Sequence, residues 1–320
     1  MRWGCFDMAG LLWRVHYKAL VTHSSVRDCP PMSPSRSFRL LGLALLLLAG
    51  CQRSSPPAQE PGARRLVSLS PGITETLYAL GAGPQVVGRS DYSSWPPEAE
   101  GVPKVGSTLA PNYEAIARLK PTLILDEQVK QAPAGSLAAV APVKVLPWLT
   151  VDDVANGVRE LGRQTGREAQ ANELAAKVES TLKRAPPKDA PRVLLVIGDA
   201  EAGLSSIWYI RKGSLHGAAL EAAGARNAVA EDPGGPPNIS VEQLMTLDPD
   251  IILVLLEGPV PTPEEEARQL AAWKQLSVLR AVKEGRVKLV AGPGVQSTGP
   301  RILDLVERLK VALRFDAKTP

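Results

Sequence analysis

The stretch NISVEQLMTLDPDIIL, residues 238–253, repeats a pattern that the chain has already used in PNYEAIARLKPTLIL, residues 111–125. Each copy contains a glutamate, helix-spaced apolar residues, a proline and a run of branched apolar residues. The matching positions are all separated by 128 residues: Glu114 and Glu242, Ile116 and Leu244, Leu119 and Leu247, Pro121 and Pro249, and Ile124 and Ile252. Each copy predicts a helix that ends before its proline and leads into a buried strand. The chain therefore contains two similar halves.

The pattern around both copies is that of an α/β protein. Short apolar runs predict strands at RLVSLS, QVVG, PTLILD, VKVLPW, RVLLVIGD, DIILVLL and VKLVAG. Helical patterns lie between them, at TETLYALG, YEAIARL, VDDVANGVRELG, LHGAALEAAG, SVEQLMTL and RILDLVERLKVAL. This alternation predicts two similar lobes with mostly parallel sheets, covered by helices on both faces.

One long helix is predicted between the halves, over residues 167–185. Leu174, Val178 and Leu182 form a single apolar stripe there, and two prolines follow. At about 1.5 Å per residue, such a helix is roughly 28 Å long, about the length of a lobe. We therefore expect a cleft between the lobes. The predicted boundaries are a first lobe over 64–165, a linking helix over 166–187 and a second lobe over 188–320.

The first 63 residues have the pattern of an export signal followed by a tether. An apolar run over 40–48 follows Arg36 and Arg39 and is too short to span a bilayer as a helix. The run ends in LAGC, which resembles a bacterial lipobox; a plain signal peptide with a chance cysteine is the alternative. The resemblance implies that Cys51 carries a lipid, which would anchor an exported protein on the periplasmic side of a membrane. Residues 1–51 are then a signal region and residues 52–63 a tether.

A signal of this kind is expected at the start of a chain, but 31 residues precede Met32. We predict that Met32 is the true start; a longer native signal region is the alternative.

Charge and residue counts exclude several classes of function. Residues 1–51 contain six basic and two acidic residues, which account for the whole net charge of +4. The remaining chain is neutral, so no nucleic-acid partner is predicted. After Cys51 there is no further cysteine, and His216 is the only histidine. Disulfides, zinc sites with several histidines and a bound metal are therefore not expected in the folded part.

The run from RLVSLSPGITETLYALG through SDYSSWPPEAEGVPKVG to NYEAIARLKPTLIL resembles the first lobe of a particular protein class. This class is the helical-backbone, periplasmic-type substrate-binding proteins of ABC importers that carry cobalamin, haem or ferric siderophores. ISVEQLMTLDPDIIL resembles the corresponding part of the second lobe. The resemblance implies that Glu114 and Glu242 lie on top of the lobes and bind arginines of a permease dimer, which works with ATPase subunits. Asn112 and Ser240 are plausible N-caps, so both glutamates could instead serve only to stabilise helix starts.

Candidate ligand-binding residues in the first lobe lie in loops after strands, where open α/β sheets bind ligands. Ser70 can cap a helix that begins at Pro71. The resemblance aligns Tyr92 with a ligand-facing aromatic residue of cobalamin-binding proteins; a loop aromatic packed for structure is the alternative. At Thr108 those proteins carry a tryptophan, and this difference weakens the assignment of cobalamin as the ligand.

In the second lobe the segment SSIWYIRKGSLHG contains Trp208, Tyr209, Arg211 and Lys212. Aromatic faces and cationic donors suit a flat macrocycle with carboxylate, amide or phosphate edges. The alternative is a core strand with alternating faces. Arg301 lies in a predicted first helical turn, where a cation is unfavourable, so an anionic group near it is expected.

The predicted function is capture of a corrinoid in the cleft and its delivery to an ABC importer. Haem or a ferric siderophore is the alternative ligand, and His216 could ligate haem iron, although a lone histidine is more often structural. The protein is predicted not to be an enzyme and to have no intrinsic cofactor, because no paired carboxylates, cysteine–histidine nucleophile or cluster-binding cysteines support catalysis. More distant alternatives are a tetrapyrrole- or metal-handling enzyme and a structural or sensory lipoprotein with an empty cleft.

Overall fold

Strands and helices alternate along the chain in the predicted order. The computed structural model describes residues 64–128, 136–198, 204, 207–230 and 235–315. The first half contains, in order, β1 (Leu66–Ser68), α1 (Pro71–Ala79), β2 (Val86–Arg89), α2 (Tyr113–Arg118), β3 (Leu123–Glu127), β4 (Val143–Leu146) and α3 (Val151–Thr165). The second half contains α4 (Glu168–Leu182), β5 (Arg192–Ile197), β6 (Ile207–Tyr209), α5 (Leu215–Ala222), β7 (Arg226–Asn227), β8 (Asn238–Ile239), α6 (Val241–Leu247), β9 (Ile251–Leu256), α7 (Pro263–Lys274), α8 (Arg280–Lys283), β10 (Val287–Ala291) and α9 (Ile302–Ala312). All seven predicted strands and all six helical patterns are present, and β6 matches the alternative interpretation of SSIWYI as a strand. Elements β7, β8, α7 and α8 were not predicted.

Two sheets organise these elements. The first has the strand order β2-β1-β3-β4 and is parallel throughout. The second has the order β10-β9-β5-β6-β8, with β7 beside β5, and only β6 and β8 pair antiparallel with their neighbours. The prediction of an α/β fold with mostly parallel sheets is confirmed.

The repeated segment folds in the same way in both halves. Helices α2 and α6 begin at equivalent positions of the repeat, and so do strands β3 and β9. Lys120 and Asp248, also equivalent, both have a positive φ, 46° and 36°. In each half the chain leaves the glutamate helix through a left-handed residue, because the proline that follows cannot continue the helix.

The predicted linking helix is shorter than expected and packs against a second helix. Helix α4 covers residues 168–182 rather than 167–185, which makes it about 22 Å long. It packs along α3 as a helical hairpin, turned at Gly166 with φ 68° and tied by an ion pair between Arg159 and Glu179. Val178 and Leu182 of the predicted apolar stripe are buried, and Leu174 packs against the same core.

One hydrophobic core runs through both halves. It includes buried residues of β1, α1, α3 and α4 together with residues of β5, α5, β9 and α9. The described residues accordingly belong to one compact unit, Gln59–Pro320. Within the described residues, none of the helices combines the length and the apolar character that a membrane span requires. The predicted signal region, Cys51 and the tether lie outside the described residues.

Candidate functional site

The lobes meet at Glu75, a residue that sequence reasoning missed. Glu75 is a buried residue of α1, and its carboxylate accepts three hydrogen bonds from the segment that follows β10. Ser297 Oγ donates at 2.9 Å, the backbone N–H of Arg301 at 2.7 Å and Arg301 Nε at 2.9 Å. The Arg301 guanidinium also lies 4.7 Å from the centre of the Trp95 ring. An anionic group near Arg301 was expected, and the structure supplies it from the opposite lobe.

A second contact between the lobes, here called the interlobe seam, lies beside the Glu75 contact and is formed by Gly72, Trp148, Leu149, Leu215 and Thr298. The indole N–H of Trp148 donates to the carbonyl of Thr298 at 3.0 Å, and the N–H of Leu215 donates to the carbonyl of Leu149 at 2.9 Å. Gly72 permits this approach, because a Cβ there would lie 2.5 Å from Thr298 Oγ1 and 2.6 Å from Trp148 Nε1. The residues after β4 therefore contact the second lobe directly.

Two carboxylates end β3 and bring Ser70 and Thr108 into one cluster. Ser70 Oγ donates to Glu127 at 2.7 Å, and Thr108 Oγ1 donates to Asp126 at 2.7 Å. Burial raises the pKa of both carboxyl groups, and the charge of Asp126 raises the pKa of Glu127 further. Ser70 does occupy the N-cap position of α1, but its side chain makes no capping hydrogen bond, so that prediction was wrong in this respect. Asp126 and Glu127 are neighbours in the sequence, and neither was singled out there as a candidate residue.

Two exposed aromatic residues lie in the first-lobe loop that follows β2. Tyr92 lies in the loop after β2 and is 75% exposed, and Trp95 in the same loop is 41% exposed. A single large aromatic side chain left in water is normal, but two in one loop form an apolar surface. Tyr92 is therefore accessible to a ligand, as its predicted role requires.

A cavity of about 610 Å³ lies between Leu149 of the first lobe and residues of the second. Tyr209, Arg211 and Lys212 line it, so the structure brings three of the candidate residues together. The turn at 211–212 packs tightly on α5, since a Cβ at Gly217 would lie 2.2 Å from the Arg211 carbonyl oxygen. This turn places both cationic residues just before the N-terminus of α5, which favours anionic groups.

Strand β6 has alternating buried and exposed faces, as expected for the interpretation of SSIWYI as a core strand. Ile207 and Tyr209 point into the core and are buried, whereas Trp208 is 49% exposed. The hydroxyl of Tyr209 is buried and has no hydrogen-bond partner among the described residues. Trp208 thus offers an accessible aromatic face, and Tyr209 contributes a buried donor beside the cavity.

Glu114 and Glu242 both lie exposed in the first turn of their helices, as predicted. Asn112 and Ser240 cap those helices by accepting hydrogen bonds from Ala115 N–H and Gln243 N–H. Glu114 forms an exposed ion pair with Arg118 at 2.5 Å. A hydrogen bond from the Ser240 side chain lowers the pKa of Glu242, which keeps that carboxylate charged.

His216 is buried in α5 and is not placed to ligate a metal in the cavity. Burial lowers its pKa to about 4, and its Nε2 atom has no hydrogen-bond partner among the described residues. Within the same part of the chain, no group of three or more histidine, cysteine, aspartate or glutamate residues could hold a metal ion.

The missed residues carried weak signals in the sequence. Glu75 is the one acidic residue in PGITETLYA, a helix whose positions 72–77 are all buried. Asp126 and Glu127 directly follow the apolar run LIL. A charged residue in a segment that is otherwise apolar needs a partner, but the sequence does not identify the partner.

Two α/β lobes joined by a helical hairpin, with a cavity between them, define a two-lobed binding protein. The chain belongs to the periplasmic binding protein family, which matches residues 66–292. It is 29% identical over 198 residues to the vitamin B12-binding protein of Pectobacterium carotovorum, covering 60% of this chain and 71% of that protein. It is 28% identical over 270 residues to YvrC of Bacillus subtilis, described as an uncharacterized ABC transporter substrate-binding lipoprotein, covering 81% of this chain and 82% of that protein.

Among solved structures, the chain is similar to a periplasmic heme-binding protein from Pseudomonas aeruginosa, with a TM-score of 0.63 and 25% identity. The match covers 78% of this chain and 92% of that one. The resemblance to this class of binding proteins is confirmed, and a family of binding proteins fits the prediction that the chain is not an enzyme.

Proposed function

We propose that this protein captures a corrinoid between its two lobes and delivers it to an ABC importer. The observation that carries the proposal is the interlobe cavity lined by Leu149, Tyr209, Arg211 and Lys212, in a chain related to a vitamin B12-binding protein. Binding of a small molecule between lobes needs a concave, mainly apolar site with a few polar groups, and this cavity has both.

The chemistry of the second-lobe wall suits a large ligand with polar edges. Arg211 and Lys212 can donate to amide, carboxylate or phosphate oxygens, and the N-terminus of α5 adds to the positive potential. Trp208 on β6 and Tyr92 on the first-lobe loop supply exposed aromatic faces for a flat macrocycle. In the first lobe, Ser70 and Thr108 are buried in the ligand-free protein, where they donate to Glu127 and Asp126; their contact with the ligand is part of the proposal.

Haem is the second candidate, favoured by the exposure of Tyr92. A tyrosine hydroxyl can serve as an axial ligand of haem iron, and the Tyr92 side chain is open to solvent. The cationic residues Arg211 and Lys212 suit haem carboxylates equally well. A structural relative with 25% identity is a heme-binding protein.

Titration of intrinsic tryptophan fluorescence tests the proposal. Trp95 and Trp208 are partly exposed, so a bound macrocycle should quench their emission. Cyanocobalamin, haemin and a ferric siderophore are titrated in parallel, with correction for ligand absorbance. Saturable binding of cyanocobalamin with one ligand per protein is expected, and binding of haemin alone would replace the corrinoid by haem. If none of the three binds, the proposed function is wrong.

Tyr92→Phe separates the two ligands. The substitution keeps the ring and removes the hydroxyl, so cyanocobalamin affinity should change little. A haem complex that uses the hydroxyl as axial ligand should lose its absorption signature and most of its affinity. Arg211→Ala serves as the control for the second-lobe wall and should weaken binding of either ligand.

The importer and the membrane are the proposed partners. Glu114 and Glu242 present carboxylates at equivalent, exposed positions of the two lobes, where a dimeric permease with two arginine sites would meet both. Lipidation of Cys51 would hold the protein at the membrane surface near that permease. Two weak docking contacts on one partner reinforce each other through effective concentration.

A further inference from the structure

The segment from Ser297 to Arg301 is bonded to the opposite lobe through one carboxylate. Glu75 has both carboxylate oxygens occupied: Oε1 by the Arg301 N–H and Oε2 by the hydroxyl of Ser297 and by Arg301 Nε. Its side chain is 6% exposed and that of Arg301 is 21% exposed. Charge-assisted hydrogen bonds of this kind are short and strongly directional, so they fix the orientation of the groups that they join.

The same contact is also fixed by shape. Gly299 lies against the Glu75 side chain, and a Cβ at that position would come within 2.7 Å of the carboxyl carbon. On the other side, the Trp95 ring faces the Arg301 guanidinium at 4.7 Å. The segment is therefore held between α1 and the loop after β2, and sliding it by one residue would break every one of these contacts.

A buried ion pair of this type contributes little net stability, because desolvation of both charges offsets their attraction. Its effect is greater on geometry, since any other relative position of the lobes leaves Glu75 buried without its donors. One face of the pair opens on a cavity of about 400 Å³, lined in part by Tyr78, Glu98 and Asp304. The segment thus has room to move once the hydrogen bonds are broken.

We propose that Glu75 is a positioning residue that fixes the angle between the lobes and thereby sets the width of the cleft before a ligand arrives. Holding a site in its binding geometry raises affinity by removing the cost of ordering it. This inference rests on the proposed function only for the identity of the ligand that the cleft binds. The fixed angle itself is a property of the ligand-free protein and is tested there.

The test measures the distance between the lobes with two spin labels. Ala117 on α2 and Met245 on α6 are exposed and occupy equivalent positions of the repeat, so cysteines there report the lobe separation. The full chain is used, with the cysteines at positions 5, 29 and 51 changed to serine. Double electron–electron resonance then gives the distribution of distances between the two spin labels in the absence of ligand.

Glu75→Gln keeps the shape of the side chain and removes its charge. The ligand-free protein should change from one narrow distribution to one with a second, displaced population. That population should rise at least about ten-fold, the change expected from the loss of one charge-assisted hydrogen bond. Ser297→Ala removes a single donor without exposing a buried charge and should broaden the distribution less; it serves as the test if Glu75→Gln does not fold.

Glu160→Gln is the matched control. Glu160 is a largely buried carboxylate held by Arg163, by Lys144 at 2.8 Å and by Gln164 at 2.9 Å, all within the first lobe. Its substitution removes a comparable ion pair without touching the lobe contact, so the distance distribution should stay narrow. The proposal is overturned if Glu75→Gln and Ser297→Ala both keep the wild-type distribution. It is also overturned if Glu160→Gln broadens the distribution as much, because the effect would then reflect general loss of stability.

Discussion

Acid should destabilise the protein through His216. This side chain is 8% exposed, and its Nε2 atom has no partner among the described residues. Burial lowers its pKa to about 4 from the ordinary value of 6.5, although the charge of Glu257 opposes the shift. The unfolded chain therefore binds a proton on this residue at a higher pH than the folded protein does. Stability should fall as the pH drops from about 6.5 to about 4.

The size of the effect follows from the two pKa values. One pKa unit corresponds to about 1.4 kcal/mol, so the whole shift is worth about 3 kcal/mol. Between pH 7 and pH 5, His216 should lower the free energy of unfolding by about 2 kcal/mol. Asp126 and Glu127 act in the opposite direction, because their raised pKa values make the folded protein bind protons more readily than the unfolded chain. Their contribution must be subtracted.

Urea unfolding of the wild type and of His216→Gln, each at pH 7 and pH 5, makes that subtraction. Glutamine is polar and does not titrate, so the variant keeps the carboxylate contribution and loses that of the histidine. The wild type should lose about 2 kcal/mol more than the variant over this interval. Equal losses in the two proteins would contradict this prediction, since they would show that His216 does not stay neutral in the folded state at pH 5.

Three further predictions follow from the sequence and the interlobe seam. Cys51→Ser should release the protein from membranes or leave its signal uncleaved, as fractionation would show; a variant that stays processed and membrane-bound contradicts lipidation. Gly72→Ala should destabilise the protein by about 1–3 kcal/mol in urea unfolding, because its Cβ would lie 2.5 Å from the opposing hydroxyl. Gly101→Ala should be nearly neutral, because no atom of the described residues lies within 4 Å of a Cβ at that position. Equal stability of both variants would contradict a tight seam. Glu114→Ala and Glu242→Ala should preserve ligand affinity, but each should weaken uptake in vesicles containing the permease. The double variant should reduce uptake further. Normal uptake by the double variant would mean that both residues serve only to stabilise their helices.

The helix-capping predictions illustrate where local reasoning works and where it fails. Asn112 and Ser240 both cap as predicted, because an N-cap hydrogen bond closes within three residues and depends on little else. Ser70 has the same position at a helix start but donates instead to Glu127, which is 57 residues away. The partly buried carboxylate of Glu127 competes successfully with the helix for that hydroxyl.

The sequence predicted the types of residue in the candidate site better than it predicted which residues lie together. Arg301 indicated a nearby anion, but only the fold identifies Glu75, 226 residues away. Tyr209 and Arg211 are near neighbours in the sequence and do share a cavity, whereas the position of Leu149 in the same cavity had no sequence signal. Likewise, the alternation in β6 could be recognised, but which of its faces stays open depends on what packs against the sheet.

From the sequence alone, the two similar halves, most of the strands and helices, and the first-turn glutamates could be predicted. These features depend on apolar spacing, prolines and caps, each of which acts over a few residues. Three features became apparent only in the folded protein: α3 packs beside α4, the core is continuous across the lobes, and Glu75 accepts hydrogen bonds from Ser297 and Arg301. Such contacts join residues far apart in the chain, and their energy arises from desolvation and close packing, which have no periodic pattern in the sequence.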